Sequence, residues 1–273
     1  MLGFNASYHI NSLTYLQAVL IPKGAVTPYP DAYLKDSYLA EYSSFNPAPG
    51  SPIENINLFY YSSNVVWGLR LSHSFPSFDA GISYYRGSYM NPFPVDLQVN
   101  PTSNGQYLDL TLGYPSKQVF GLEFQGKFPG IEGAILRGDL AYIIPEHWSF
   151  QGENLLDTPY FQGIISADYT TDSNLYLNGG FIYVLPFERG RDCSPYIYLN
   201  TNKTLNSFDF EPFYIGILSL YDMSMGNIIG VDYQISDRVS TSLSYLFLPG
   251  NSDSKLGIMK NSQGLYFSIK WLL

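Results

Sequence analysis

KQVFGLEFQGKFPGIEGAILRGDLAYII, residues 117–144, sets out the pattern that organises the rest of the chain. In its first half Phe120, Leu122 and Phe124 alternate with Glu123, Gln125 and Lys127. In its second half Leu136, Leu140 and Tyr142 oppose Arg137 and Asp139. Successive side chains leave a pleated strand on opposite faces, so a period of two predicts β-structure. FPGIEG at 128–133 lies between the halves and supplies the Pro and Gly that tight turns require. The stretch therefore reads as a hairpin with one apolar face and one charged face.

The same alternation recurs in about fifteen segments. They are 1–10, 12–22, 64–72, 77–87, 95–100, 105–113, 118–127, 131–143, 160–169, 174–184, 194–200, 208–220, 225–234, 237–248 and 263–273. SFPSF at 74–78, YPSK at 114–117, TTDSN at 170–174 and ISDR at 235–238 mark further abrupt junctions. The junction at 23–63 is long and holds Pro28, Pro30, Pro47, Pro49 and Pro52. A short helix over 31–45 is the one helical expectation. No linker is visible, so residues 1–273 read as a single domain.

Composition decides what the two faces meet. Charged residues make up 14% of the chain and aromatic residues 17%, with 25 Tyr and 18 Phe. A quarter of residues charged is typical of a soluble domain, so little charge is left to cover a watery exterior. No apolar run is long enough for a membrane helix. The one cysteine, Cys193, excludes an intramolecular disulfide. The net charge of −9 argues against nucleic acid as a partner. The amino-terminal MLGFNASYHINSL lacks the basic start and apolar core of an export signal.

Further segments sharpen the partition. Val65, Trp67, Leu69 and Leu71 oppose Arg70 and Ser72. Leu108, Leu110 and Leu112 oppose Asp109 and Thr111, and Leu243, Tyr245 and Phe247 oppose Ser240, Ser242 and Ser244. A sandwich of this many strands would be improbably wide. A closed barrel in lipid satisfies both rows and leaves no free edge. The expected fold is all-β, a transmembrane antiparallel up-and-down β-barrel with about fifteen visible strands and about sixteen or more in the intact protein. Tyr8, Tyr84, Tyr142, Tyr169, Tyr233 and Trp271 are expected near the membrane interfaces.

The chain ends GLYFSIKWLL, with Leu265, Phe267, Ile269, Trp271 and Leu273 on one row. This ending resembles the closing strand of bacterial outer-membrane barrels, with Leu273 where those proteins usually carry Phe. The resemblance implies that Phe267, Ile269, Trp271 and Leu273 are read by the barrel-assembly machinery. Residues 53–273 as a whole look like the carboxy-terminal part of a poorly characterised family of porin-like outer-membrane proteins. WGLRLSHSFPSFDAGISYYRG, GYPSKQVFGLEFQGKFPGIEGAILRGDLAYI, ADYTTDSNLYLNGGFIY and SLSYLFLPGNSDSKLGIMKNSQGLYFSIKW carry that likeness. It implies an integral protein of a Gram-negative outer membrane without naming a solute. With a periplasmic terminus, 249–262, 144–159 and 23–63 become outer loops, and TTDSN and ISDR become inner turns. The strand count is then odd, so an amino-terminal truncation is expected.

No catalytic constellation emerges. His9, His73 and His147 are scattered, and neither G-x-S-x-G nor H-E-x-x-H occurs. PGNSDSKLG at 249–257 has one acid, too few for a calcium cage. Met223 and Met225 read as ordinary turn and strand residues. No enzyme activity, cofactor or metal is expected. The candidate selectivity residues are Arg70, Asp109, Glu123, Lys127, Arg137, Asp139, Asp168, Asp232 and Lys270, all on the row assigned to the lumen. Such charges either pair across strands and stiffen the wall or set a field that filters solutes. The expected function is passive diffusion of small hydrophilic solutes or ions, with membrane lipid and a homo-oligomer as further partners. The alternatives are a membrane barrel with an enzymatic or adhesive role and a soluble β-rich ligand-binding protein.

Overall fold

The computed structural model describes residues 3–22, 53–60, 65–89, 92–101, 103, 105–150, 153–185, 188, 193–205 and 210–271. The helical expectation at 31–45 and Leu273 lie outside them. The described chain is all-β apart from a 3-10 turn at Gly257–Ser262. The strands are β1 (Phe4–His9), β2 (Thr14–Ile21), β3 (Ile53–Tyr60), β4 (Val66–Ser74), β5 (Phe78–Ser88) and β6 (Phe93–Pro101). Then come β7 (Gln106–Gly113), β8 (Ser116–Lys127), β9 (Ile135–Pro145), β10 (Trp148–Phe150), β11 (Glu153–Leu156) and β12 (Tyr160–Thr170). The last six are β13 (Leu175–Tyr183), β14 (Pro195–Lys203), β15 (Phe210–Ser219), β16 (Met225–Ser236), β17 (Val239–Phe247) and β18 (Gly264–Trp271).

A 13-stranded antiparallel sheet runs in the order β1-β2-β4-β5-β8-β9-β12-β13-β14-β15-β16-β17-β18. Its strands are thus sequence neighbours throughout, interrupted only where smaller sheets are inserted. Short turns alternate with longer connections along much of this order, though the β15–β16 connection at 220–224 is itself short. The β1–β2, β4–β5, β12–β13 and β16–β17 turns occupy 10–13, 75–77, 171–174 and 237–238. The β9–β12, β13–β14 and β17–β18 connections occupy 146–159, 184–194 and 248–263. At 171–174 the chain reverses because Thr171 Oγ1 accepts from the Leu175 amide at 3.1 Å and Asn174 takes a left-handed φ of 60°.

Two compact units divide the chain. The first comprises Met1–Leu71, Ser83–Phe120 and Ile143–Pro159. It holds the β1–β2 hairpin, a three-stranded sheet of order β3-β7-β6 and the β10–β11 hairpin. β3 runs parallel to β7, and β6 antiparallel to it. Leu108, Leu110 and Leu112 on β7 are buried, Leu112 completely. Trp148 Nε1 donates to the Pro94 carbonyl at 2.9 Å, tying β10 to β6.

These strands correct the expected count. Segments 95–100 and 105–113 are β-structure but belong to the small sheet, and their leucine row packs inward instead of facing outward. Period two reports a strand and is silent about which sheet takes it. β3 falls inside the stretch expected to be loop, and the β10–β11 hairpin inside the connection 146–159.

The second unit comprises Ser72–Ile82, Gly121–Tyr142 and Tyr160–Leu273. Its main body is the meander β12 to β18, each strand paired antiparallel with the next. Register is unbroken in β12–β15, and one irregularity falls between Gln234 and Ser236 beside the β16–β17 turn. Close strand approach leaves no room at Gly180, where an added Cβ would run into the Ile165 carbonyl oxygen.

Candidate functional site

Register fixes which residues share a face, because directly paired residues point the same way. Through β12–β13–β14, Asp168 pairs with Asn178 and Asn178 with Asn200. Through β14–β15–β16, Asn200 pairs with Ile215 and, four residues along, Glu211 pairs with Asp232. Asp232 then pairs with Ser242 and Ser242 with Ser268, while Ser240 pairs with Lys270. Asp168, Asp232 and Lys270 consequently lie on one face. Arg137 joins them by contact with Asp168, and Asp139 by alternation with Arg137. Phe124 fills the space over Gly138 on the opposite face, which returns Glu123 and Lys127 to the charged one.

Asp168 is the best-organised point of this face. It is 7% exposed. Tyr176 Oη and Asn178 Nδ2 both donate to Oδ1, at 2.7 and 2.5 Å. Arg137 Nε sits 2.9 Å from Oδ2 and forms an ion pair with it. The guanidinium side chain remains half-exposed, so one end of the pair is wet and the other dry. Three strands, β9, β12 and β13, are thereby stitched by one carboxylate.

The remaining expected residues are dispersed. Glu123 lies over Gly81, where its carboxyl occupies the space a side chain would need. Lys127, Asp139, Asp232 and Lys270 are exposed. In the first unit the Arg70 guanidinium stands 5.9 Å from the Tyr15 ring centroid. Asp109 is on β7 of the small sheet, away from the wall strands to which it was assigned; it accepts from Asn57 at 2.7 Å and Asn100 at 2.8 Å. Tyr176, Asn178 and Glu211 are functional candidates that sequence reading passed over. Their signal was alternation with apolar neighbours, the same one that marked Asp168.

The opposite face is apolar and uncovered. Phe161, Ile229, Leu265, Phe267, Ile269 and Trp271 of the second unit are each at least 60% exposed. Tyr142 and Phe161 touch at 4.8 Å between ring centroids, and Phe210 stacks on Tyr233 at 4.5 Å. In the first unit Phe4 and Tyr8 are 69% exposed, and Tyr84 bridges Trp67 and Phe120 at 5.1 Å each. Large side chains in continuous exposed rows demand an apolar neighbour.

His9 contacts Tyr15 and His73 contacts Phe75, ring to ring. Among the described residues no three His, Cys, Asp or Glu side chains are grouped to hold a metal. No helix among them is long and apolar enough to cross a membrane, which says nothing of strands. No protein-family model matches the chain, and no curated protein matches it.

Proposed function

We propose that the chain forms the wall of a β-barrel spanning a bacterial outer membrane and conducts small hydrophilic solutes or ions by passive diffusion. One observation carries this reading: a meander whose two faces differ in kind, one of exposed aliphatic and aromatic rows and the other of charges and hydrogen-bonding groups. Lipid satisfies the first face and a water-filled bore the second. The long β9–β12, β13–β14 and β17–β18 connections at one end and the tight β12–β13 and β16–β17 turns at the other suit a barrel with short periplasmic turns and long outer loops. Closure in an antiparallel register takes an odd number of strands beyond the 13, from this chain or another copy.

In this reading Glu123, Asp139, Asp168, Glu211 and Asp232 line the bore together with Lys127, Arg137 and Lys270. The acidic excess gives a mild preference for cations. Purified protein reconstituted in a planar bilayer should give discrete conductance steps. In a salt gradient its reversal potential should carry the sign of cation selectivity. Absence of steps from well-folded protein would overturn conduction, and strong anion preference would overturn the charge assignment.

A further inference from the structure

Three connections at one end of the second unit are fastened together by a network around the buried carboxylate of Glu188, which conduction itself does not require. Glu188, in the β13–β14 connection, is 5% exposed. Its carboxylate accepts from Tyr196 Oη at 2.6 Å and from the Leu185 amide at 2.9 Å. Lys255 Nζ, from the β17–β18 connection, lies 3.3 Å away. The backbone amide of the same lysine donates to Asp222 Oδ2 at 2.6 Å, in the β15–β16 connection. Asp222 Oδ1 in turn accepts from Ser224 Oγ at 2.7 Å, and that hydroxyl accepts from the Leu256 amide at 3.2 Å.

Beneath these bonds Leu185, Tyr196 and Leu256 form a dry cluster, with Ile182 and Ile217 packed against it. Ile182 pairs with Tyr196, and Ile217 with Tyr198. By alternation from Asn178 and Asn200, all four stand on the face that carries Asp168. Leu256 is therefore drawn over the charged face, at its long-connection end. A mobile lid needs weakly held, solvated contacts. Here opening would strip a buried carboxylate of its cation and its hydroxyl donor, which is strongly unfavourable.

We infer that the described parts of the 184–194, 220–224 and 248–263 connections form a fixed awning over the charged face, which narrows the bore permanently and is fastened by Glu188 and Lys255. This rests on the conduction reading. It assigns size selection to a rigid feature and no opening and closing to these connections.

Trypsin and bilayers test it together. In detergent-solubilised wild-type protein, Lys255 and Lys260 should resist cleavage, and Glu188→Ala should be cut there about tenfold faster. The same variant should show unitary conductance raised by about half or more. Should Glu188→Ala fail to fold, Tyr196→Phe removes one donor and should move both readouts in the same direction by less. Equal cleavage of wild type and variant would overturn the fastening. Faster cleavage with unchanged conductance would overturn the narrowing. A wild type that never conducts while Glu188→Ala does would overturn both conduction by the native protein and a merely partial narrowing. Silence from both proteins would sink the conduction reading, with the fastening still decided by trypsin.

Discussion

Asp168 concentrates the energetics of the charged face, because it is almost dry and still ionic. Removing its cation leaves the carboxylate with Tyr176 and Asn178 alone. Arg137 is half-exposed, so water softens the loss and the fully buried figure does not apply. Arg137→Gln should destabilise the protein by about 1–2 kcal/mol in urea titrations from lipid vesicles, and should shift the reversal potential further towards cations. Asp222 gives a pH-dependent prediction outside the strands. Burial works to raise it, but hydrogen bonds from the Lys255 amide and from Ser224 prevail and hold it down at about 2, against an ordinary 3.8. A depressed carboxylate contributes stability above its unfolded value and loses it as pH falls towards its folded one. Trypsin does not work there, so hydrogen exchange of the 248–263 connection is the measurement. Protection should be level above about pH 4 and fall between about pH 4 and 2. The slope should become shallower in Asp222→Asn.

The strands carry the partition between faces, and Ile229 on β16 tests it. It is 63% exposed and pairs with Tyr214 and Tyr245 on the apolar face. Ile229→Arg should cost about 2–4 kcal/mol in folding titrations into lipid, as expected near a bilayer midplane. In a water-soluble sheet the same change at an exposed site would be nearly neutral. Much at this scale was legible in the sequence, since alternation located every strand of the main sheet. What it could not give was destination. β6 and β7 alternate like the wall strands, yet they join β3 in a separate small sheet, β7 pairing with both β3 and β6. β3 itself went unseen because IENINLFY sits in a Pro-rich stretch and its register slips between Ile53 and Asn55. The meeting of Arg137 with Asp168 depends on how β9 lies against β12, and that of Glu188 with Lys255 on loops far apart in sequence. Neither follows from a period.

Across both units, the described residues include many large apolar side chains that stand exposed, a surface that calls for an apolar neighbour. In the proposed barrel it should need detergent for extraction and should migrate differently on gels before and after boiling, because closure of the sheet would resist unfolding in the cold. Full solubility without detergent would instead favour the soluble ligand-binding alternative. The parallel pairing of β3 with β7 has a consequence for assembly. Asn57 reaches Asp109 across 52 residues, and the whole β4–β5 hairpin lies within that span. A contact so distant closes a large circuit at entropic expense, so it forms late. The local β4–β5 and β6–β7 pairs are expected to form before the β3–β7 pairing, which closes the circuit. Chains halted before that step would already carry a sound meander, and would betray their immaturity only through the accessibility of Leu108, Leu110 and Leu112.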